Sequence, residues 1–227
     1  MRIACLLLAA GAGSRFGSCK QLTLIEGKPL VKHSLDTLAS VFAEKIYIVL
    51  GAYSEDIRPV VEDLVHVVEH KDWKNGIGSS IAYGVKRIET LGEYDGILIA
   101  LADQLQLTAG NYQKLINQFD GSRTVAAYYA DSLGVPAIFP STQFEGLRIF
   151  DDDRGAKAML MAMQDDVTAV SLPAAAIDID TVDDIKGCRL AGASTLNWPF
   201  NSPTSNDNYR IKFALAGLVL ATHILGR

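Results

Sequence analysis

The stretch from Leu6 to Gln21 constrains this chain more than any other, because an apolar run, Leu6-Leu7-Leu8, breaks there into Gly11, Gly13, Arg15, Gly17 and Lys20. Three consecutive leucines read as a strand covered on both faces, which places it inside a parallel sheet. The glycines that follow leave backbone N–H groups open to close approach by an anion, and Arg15 and Lys20 set two positive charges beside them. A strand that ends this way reads as a polyphosphate cradle. Two familiar phosphate loops fail on spacing. A dinucleotide loop needs G-x-G-x-x-G and an acidic residue at the next strand tip. Here three residues separate Gly13 from Gly17, and the strand Ile46 to Leu50 runs into Gly51-Ala52 with no carboxylate. A P-loop needs Ser or Thr directly after Gly-Lys, whereas Ser18 and Cys19 separate Gly17 from Lys20.

A chain of 227 residues, 49% of them hydrophobic, can bury one sizeable core, and a mononucleotide-binding α/β domain has this size. The formal net charge of -5 and the lack of a long basic run exclude a nucleic-acid duplex as partner. Cys5, Cys19 and Cys188 are odd in number and widely spaced, so they imply neither a disulfide framework nor a zinc site, and a cytoplasmic location is expected. Cys19 stands between the two loop cations, where positive charge would favour a thiolate, although filling of the loop is its expected role. Met1-Arg2 and the apolar residues to Ala10 look superficially like a signal peptide. Removing them would delete the first strand and half the glycine loop, so they read as structure.

Taken in order, apolar residues at Leu30, Leu35, Leu38 and Val41 predict a helix, and Ile46 to Leu50 a second strand. Ser54 is expected to cap a helix running through Ile57, Val61 and Leu64, ahead of a third strand over 65–69. Trp73, Asn75, Gly76, Gly78, Ser79 and Ser80 make a second polar loop, and a helix is expected from about Ile81 to Leu91. Hydroxyls at such a helix start suit a base or ribose, with simple N-capping as the alternative. Gly96 to Ala102 is an unbroken apolar strand that ends in Asp103. Ligands of open α/β sheets bind at such strand ends, and a carboxylate facing a triphosphate suits Mg²⁺. Thr108 is the cap candidate for the helix near 109–119, and 124–129 and 135–139 read as strands. Asp151-Asp152-Asp153 reads as a helix start, with Asp153 as cap, since adjacent carboxylates cannot all face one ion. Ile177-Asp178-Ile179-Asp180 alternates like a short strand with both carboxylates on one side, and Thr181 would cap a helix over 183–190.

Leu8-Ala9-Ala10-Gly11-Ala12-Gly13-Ser14-Arg15-Phe16-Gly17 with Lys20 resembles the signature loop of molybdopterin-type (MobA-like) nucleotidyltransferases, nearest in pattern to the molybdenum cofactor cytidylyltransferases. The resemblance implies that Leu8, Ala9, Ala10, Gly11, Gly13 and Ser14 wrap a nucleoside triphosphate, with Arg15 and Lys20 on its phosphates. A similar Trp, Gly, Ser-Ser stretch in the family implies nucleotide contact by Gly78, Ser79 and Ser80. Leu101-Ala102-Asp103-Gln104 matches the family segment, with Leu105 in place of its proline. Gly134-Val135-Pro136 resembles a strand that borders the acceptor side, and Asp152 stands where glycine is usual. A family-like Asp-Ile-Asp-Thr segment offers Asp178 or Asp180 as a second magnesium ligand; Asp180 is the choice here, with strand-end solvation the alternative.

These readings imply a three-layer, Rossmann-like α/β domain with a mostly parallel sheet, of the nucleotide-diphospho-sugar transferase type, over residues 1–191. Residues 192–227 form a polar linker and an apolar tail whose stretch 213–225 is too short to span a bilayer. The implied activity is Mg²⁺-dependent nucleotidyl transfer with Arg15, Lys20 and Asp103 as catalytic residues. The implied acceptor is a small phosphorylated, molybdopterin-like molecule, and a molybdoenzyme or its chaperone would receive the product. A sugar- or polyol-phosphate acceptor is the rival within the class, and a non-catalytic nucleotide-binding regulatory module the rival outside it. The family reads Leu-Ala-Ala-Gly in CTP users and Leu-Ala-Gly-Gly in GTP users, so Leu8-Ala9-Ala10-Gly11 implies CTP.

Overall fold

Runs of consecutive apolar residues become the central strands of one seven-stranded sheet. This computed structural model describes residues 1–13, 16–150, 155–163, 166–181 and 184–185. The strands in chain order are β1 (Ile3–Ala9), β2 (Leu24–Ile25), β3 (Lys28–Pro29), β4 (Ile46–Leu50), β5 (His66–Glu69), β6 (Gly96–Leu101), β7 (Thr124–Tyr129), β8 (Ser132–Pro140) and β9 (Val167–Ser171). The main sheet has the order β5-β4-β1-β6-β8-β7-β9, with β2 and β3 forming a small separate hairpin. β1 lies parallel to both β4 and β6, β5 is parallel to β4 and β9 parallel to β7, whereas β8 runs antiparallel to β6 and β7. The sheet is therefore mostly parallel.

Alternate residues of β1 serve opposite layers, which is why every one of them is buried. Cys5, Leu7 and Ala9 pack with Val31, Leu35 and Leu38 of α1 (Leu30–Phe42), Ile57 of α2 (Ser54–Val61) and Leu115 of α4 (Ala109–Gln118). Ala4, Leu6 and Leu8 pack on the other face with Ile81 and Val85 of α3 (Ile77–Leu91), Leu147 of α5 (Phe144–Arg148) and Leu160 of α6 (Gly155–Ala162). The three expected layers are present. Thr108 caps α4 through a capping box with Asn111, its side chain accepting from Asn111 N while the Asn111 side chain accepts from the Thr108 backbone.

Several local expectations need correction. Ser54 is the first residue of α2 and caps nothing, and α2 ends at Val61 without reaching Leu64. α3 starts at Ile77, one turn ahead of Ile81, so Gly78, Ser79 and Ser80 lie inside its first turn. β8 begins at Ser132, directly after a turn in which Ala130 and Asp131 both have positive φ. Residues 177–180 belong to no strand; Ile179 instead sinks into a small cluster with Phe16, Leu30 and Leu105, and its N–H donates to the Asp103 carbonyl at 3.2 Å. Of the expected helix over 183–190 only residues 184 and 185 are described, both helical, and the cap at Asp153, Cys188 and the tail after residue 191 lie outside the described residues. Among the described residues no helix is long and apolar enough to cross a membrane.

Candidate active site

The chain leaves β1 for β4 and β5 on one side, then returns to place β6 on the other side of β1. That reversal opens a crevice between the carboxyl ends of β1 and β6, the position where open α/β sheets bind ligands. Register fixes the geometry, since Leu8 pairs with Leu101 and Ala102 N donates to Leu8 O at 3.2 Å. The glycine loop after Ala9 and the carboxylate of Asp103 therefore stand side by side.

Between them lies a cavity of about 380 Å³ whose walls include Leu8, Ala9, Ala10, Gly11, Gly13 and, opposite, Asp103. Lys20, Trp73, Lys74, Ile77 and Ser80 complete much of the remaining wall. Gly13 adopts φ +57, a left-handed conformation that favours glycine. The loop is braced from behind by Gln21, whose buried amide donates to the carbonyls of Ala9 and Gly11, each at 3.1 Å. Gly51 lets Trp73 close on the loop: a Cβ there would stand 2.6 Å from the Ala10 carbonyl and 2.7 Å from the Trp73 side chain. Ser34 Oγ donates to Ala102 O at 2.6 Å and fixes the β6 tip from α1.

Charge concentrates at one end of this cavity. Lys20 Nζ donates to Asp103 Oδ2 at 2.6 Å and to Asp180 Oδ1 at 3.3 Å, across 83 and 160 residues of sequence. Burial opposes the ammonium, but the charge and hydrogen bond of Asp103, joined by those of Asp180, hold its pKa above the usual lysine value. Asp180 is kept there by the pinned Ile179 and by Asp184, whose carboxylate accepts from Asp180 N at 2.9 Å and Thr181 N at 2.7 Å. Thr181 thus does share a capping box with Asp184. Asp178 is held up to about 6 by burial, then by the charges of Asp103 and Asp180, while Lys20 and Gln104 pull it down.

Among the described residues no group of three or more His, Cys, Asp or Glu is arranged to hold a metal ion. What the chain offers is two carboxylates converging on one cationic point, with Asp103 Oδ1 buried and lacking a hydrogen-bond partner among the described residues. Mg²⁺ takes one or two carboxylates and completes its shell with phosphate and water, so this donor set fits such an ion arriving with a polyphosphate.

Of the residues singled out from sequence, Leu8, Ala9, Ala10, Gly11, Gly13, Lys20, Ser80 and Asp103 meet at the cavity, and Asp180 joins through Lys20. Gly78 and Ser79 do not line it; Ser79 Oγ donates to Gly76 O at 2.8 Å and lies 3.1 Å from His70 Nε2, so it braces the helix start. Ser14 and Arg15 lie outside the described residues. The filling role expected of Cys19 is the one its surroundings favour: burial, the largest cause, raises its pKa, and the Asp56 charge adds to this. Sequence reasoning missed Gln21, Ser34, Lys74 and Ile77. Only Gln21 carried a signal, a lone amide between the loop lysine and the apolar Leu22.

A second cavity of about 240 Å³ adjoins the first through shared walls at Leu8, Ile77 and Leu101. Ile81, Ile99, Val135, Tyr129 and Lys157 make up most of the rest. Gln104 ties its edge to the segment carrying Asp178 and Asp180, donating to Val135 O at 3.2 Å and Ala175 O at 2.9 Å.

Comparison with known proteins agrees with this geometry. The chain is 26% identical over 186 residues to the purine catabolism protein PucB of Bacillus subtilis, spanning 78% of this chain and 90% of that protein. It is 27% identical over 170 residues to the bifunctional protein GlmU of Corynebacterium diphtheriae, a match over 71% of this chain; the chain spans about a third of the length of the GlmU proteins it resembles. Among solved structures, Rv0371c of Mycobacterium tuberculosis H37Rv superposes with a TM-score of 0.72 at 25% identity, covering 82% of this chain and 96% of that one. The MobA-like NTP transferase domain matches residues 5–167, a span that takes in both the glycine loop and Asp103, and the chain belongs to that family of nucleotidyltransferases.

Proposed function

We propose that this chain transfers a cytidylyl group from CTP to the phosphate of a molybdopterin-type acceptor. The observation that carries the reading is the meeting of the glycine loop, Lys20 and the Asp103–Asp180 pair around one cavity at the sheet's switch point. In this reading the acceptor phosphate attacks the α-phosphorus, the bond to the β-phosphate oxygen breaks, and pyrophosphate leaves. The braced loop and Lys20 hold the triphosphate in line and meet the charge that grows on the leaving group. Arg15 is the second loop cation in this scheme. Asp103 and Asp180 would hold Mg²⁺, which supplies charge neutralisation on the phosphate oxygens when bound. No protein nucleophile is needed. The acceptor occupies the second cavity, whose apolar walls suit a planar body and whose Lys157 suits its anionic group.

The choice of CTP rests on Ala10. Ala10 lines the cavity, and its carbonyl is fixed by Ala52 N at 3.0 Å, so the wall cannot easily withdraw to admit a larger base. One methyl discriminates by about 1 to 3 kcal/mol, which makes the preference graded. Incubation with CTP or GTP and metallated molybdopterin, read by mass and by pyrophosphate release, tests both halves of the reading. We expect the cytidylylated product, and a kcat/KM ratio of CTP to GTP that falls in Ala10→Gly. Equal use of the two nucleotides would refute the cytidylyl assignment, and product from a sugar phosphate in place of molybdopterin would refute the acceptor.

A further inference from the structure

The closest charged contact in the cavity is one that catalysis has to break. Lys20 Nζ sits 2.6 Å from Asp103 and 3.3 Å from Asp180, with its side chain only 11% exposed, so the ammonium already fills the place where both carboxylates converge. A divalent ion cannot share that place with the ammonium, since two cations at such separations repel strongly in a partly buried site. Nor can Lys20 withdraw on its own without losing two charge-assisted hydrogen bonds in a partly buried site. The same lysine also lies against the glycine loop: its Cβ is 3.4 Å from where a Cβ on Gly13 would stand. A polyphosphate bound in that loop would offer the ammonium a new anion within the reach of its flexible stem. Two carboxylates without a third protein ligand among the described residues also leave a bare ion mostly hydrated, and phosphate oxygens would complete its shell.

We propose that Lys20 is the resident counter-ion of the Asp103–Asp180 pair and is exchanged for a divalent cation only when a polyphosphate arrives with it. The site therefore selects the metal–polyphosphate complex over either component alone. Lys20 passes from the carboxylates to the phosphates in the same event that seats the metal. This deepens the nucleotidyl-transfer reading and rests on it for the identity of the polyphosphate, but it concerns binding and can be read without turnover.

Calorimetric titration of the full chain with MnCl₂ alone, with metal-free tripolyphosphate, and with their 1:1 complex tests the exchange. In the native chain the complex should bind at least about tenfold more tightly than either component, within the usual range of coupling between two ligands. In Lys20→Met, bare Mn²⁺ should bind at least about tenfold more tightly than in the native chain, because the competing charge is gone. Native binding of bare Mn²⁺ as tight as that of the complex overturns the exchange, as does a folded Lys20→Met that gains no affinity for it. If Lys20→Met does not fold, the three native titrations decide alone. A native chain that binds bare Mn²⁺ tightly and still forms product from CTP overturns the exchange and leaves the transferase reading standing. A chain that binds no polyphosphate in any form overturns both.

Discussion

The two adjoining cavities are built from different materials. The first lies where β1 and β6 run parallel and end together, so loop backbone and the charges of Lys20 and Asp103 join Trp73 and Ile77 in its walls. The second lies where β6 meets the antiparallel β8, so strands pass it lengthwise and line it with side chains such as Ile99 and Val135. Backbone and fixed charge suit what every nucleotide shares, its phosphates. In the proposed reading side-chain shape would recognise what differs between acceptors, and Leu8, Ile77 and Leu101, which belong to both walls, would bring the two ligands into contact range.

The hardest way to break this division is at the charged wall. Asp103→Asn keeps the volume and removes the carboxylate that holds Lys20, and kcat should fall about a thousandfold, the upper range for deleting one electrostatic element of a transition-state site. Pyrophosphate release checks it, with the circular dichroism spectrum expected to match the native one. A near-native rate would move the chemistry away from this wall. Gly51→Ala acts on the same cavity from behind, because its Cβ must displace either the Ala10 carbonyl or Trp73. It should cost about 1 to 3 kcal/mol of stability by overpacking and weaken CTP binding, with the second cavity untouched. Denaturant midpoints and quenching of Trp73 fluorescence by CTP would report the two effects; unchanged CTP affinity would show that Trp73 is not part of the nucleotide's wall. A smaller effect is expected across the partition. Tyr129 Oη donates to Val135 O at 3.1 Å, and Tyr129→Phe should raise the acceptor KM about fivefold, the worth of one neutral hydrogen bond, while the KM for CTP stays put. A rise in the CTP KM instead would show that the cavities do not divide the work.

The charged wall was readable in the sequence because its parts are coded locally: glycines and a lysine after one apolar run, an aspartate at the end of another. The sheet's central strands were readable for the same reason, β4 with its bounds intact. What failed depended on distant partners. The alternation Ile177 to Asp180 reads as a strand, yet the burial of Ile179 among Phe16, Leu30 and Leu105, all over 70 positions away, decides its course. Hydroxyls at a helix start read as ligand contacts until His70 and Gly76 claim Ser79. Gln21 went unassigned because the two carbonyls it holds belong to a backbone path that composition does not encode.

Asp178 feels the charges of Asp103 and Asp180 and itself acts on Tyr129 of the second cavity, and it gives the smallest of these effects. Its pKa is raised to about 6 by burial and by the Asp103 and Asp180 charges, against about 4 for a carboxyl in an unfolded chain. Between those values the native state keeps a proton that the unfolded state has released. Stability from this group is therefore fully present below about pH 4 and declines as pH rises to about 6, the reverse of a salt-bridged carboxylate. Asp178→Asn removes the charge that the fold resists, so it should stabilise the metal-free chain at pH 7 and leave it unchanged at pH 4. The whole shift would correspond to about 3 kcal/mol, but the side chain is exposed enough for water to screen it, and about 1 kcal/mol is the expected gain. That is a rise of about 2 to 4 °C in Tm for a chain of this size. Thermal melts of both proteins at the two pH values, in buffer free of metal and nucleotide, make the comparison. An equal gain at both would mean that asparagine merely packs better, and a loss at pH 7 would mean that the carboxylate is held by a partner strong enough to overcome its two acidic neighbours.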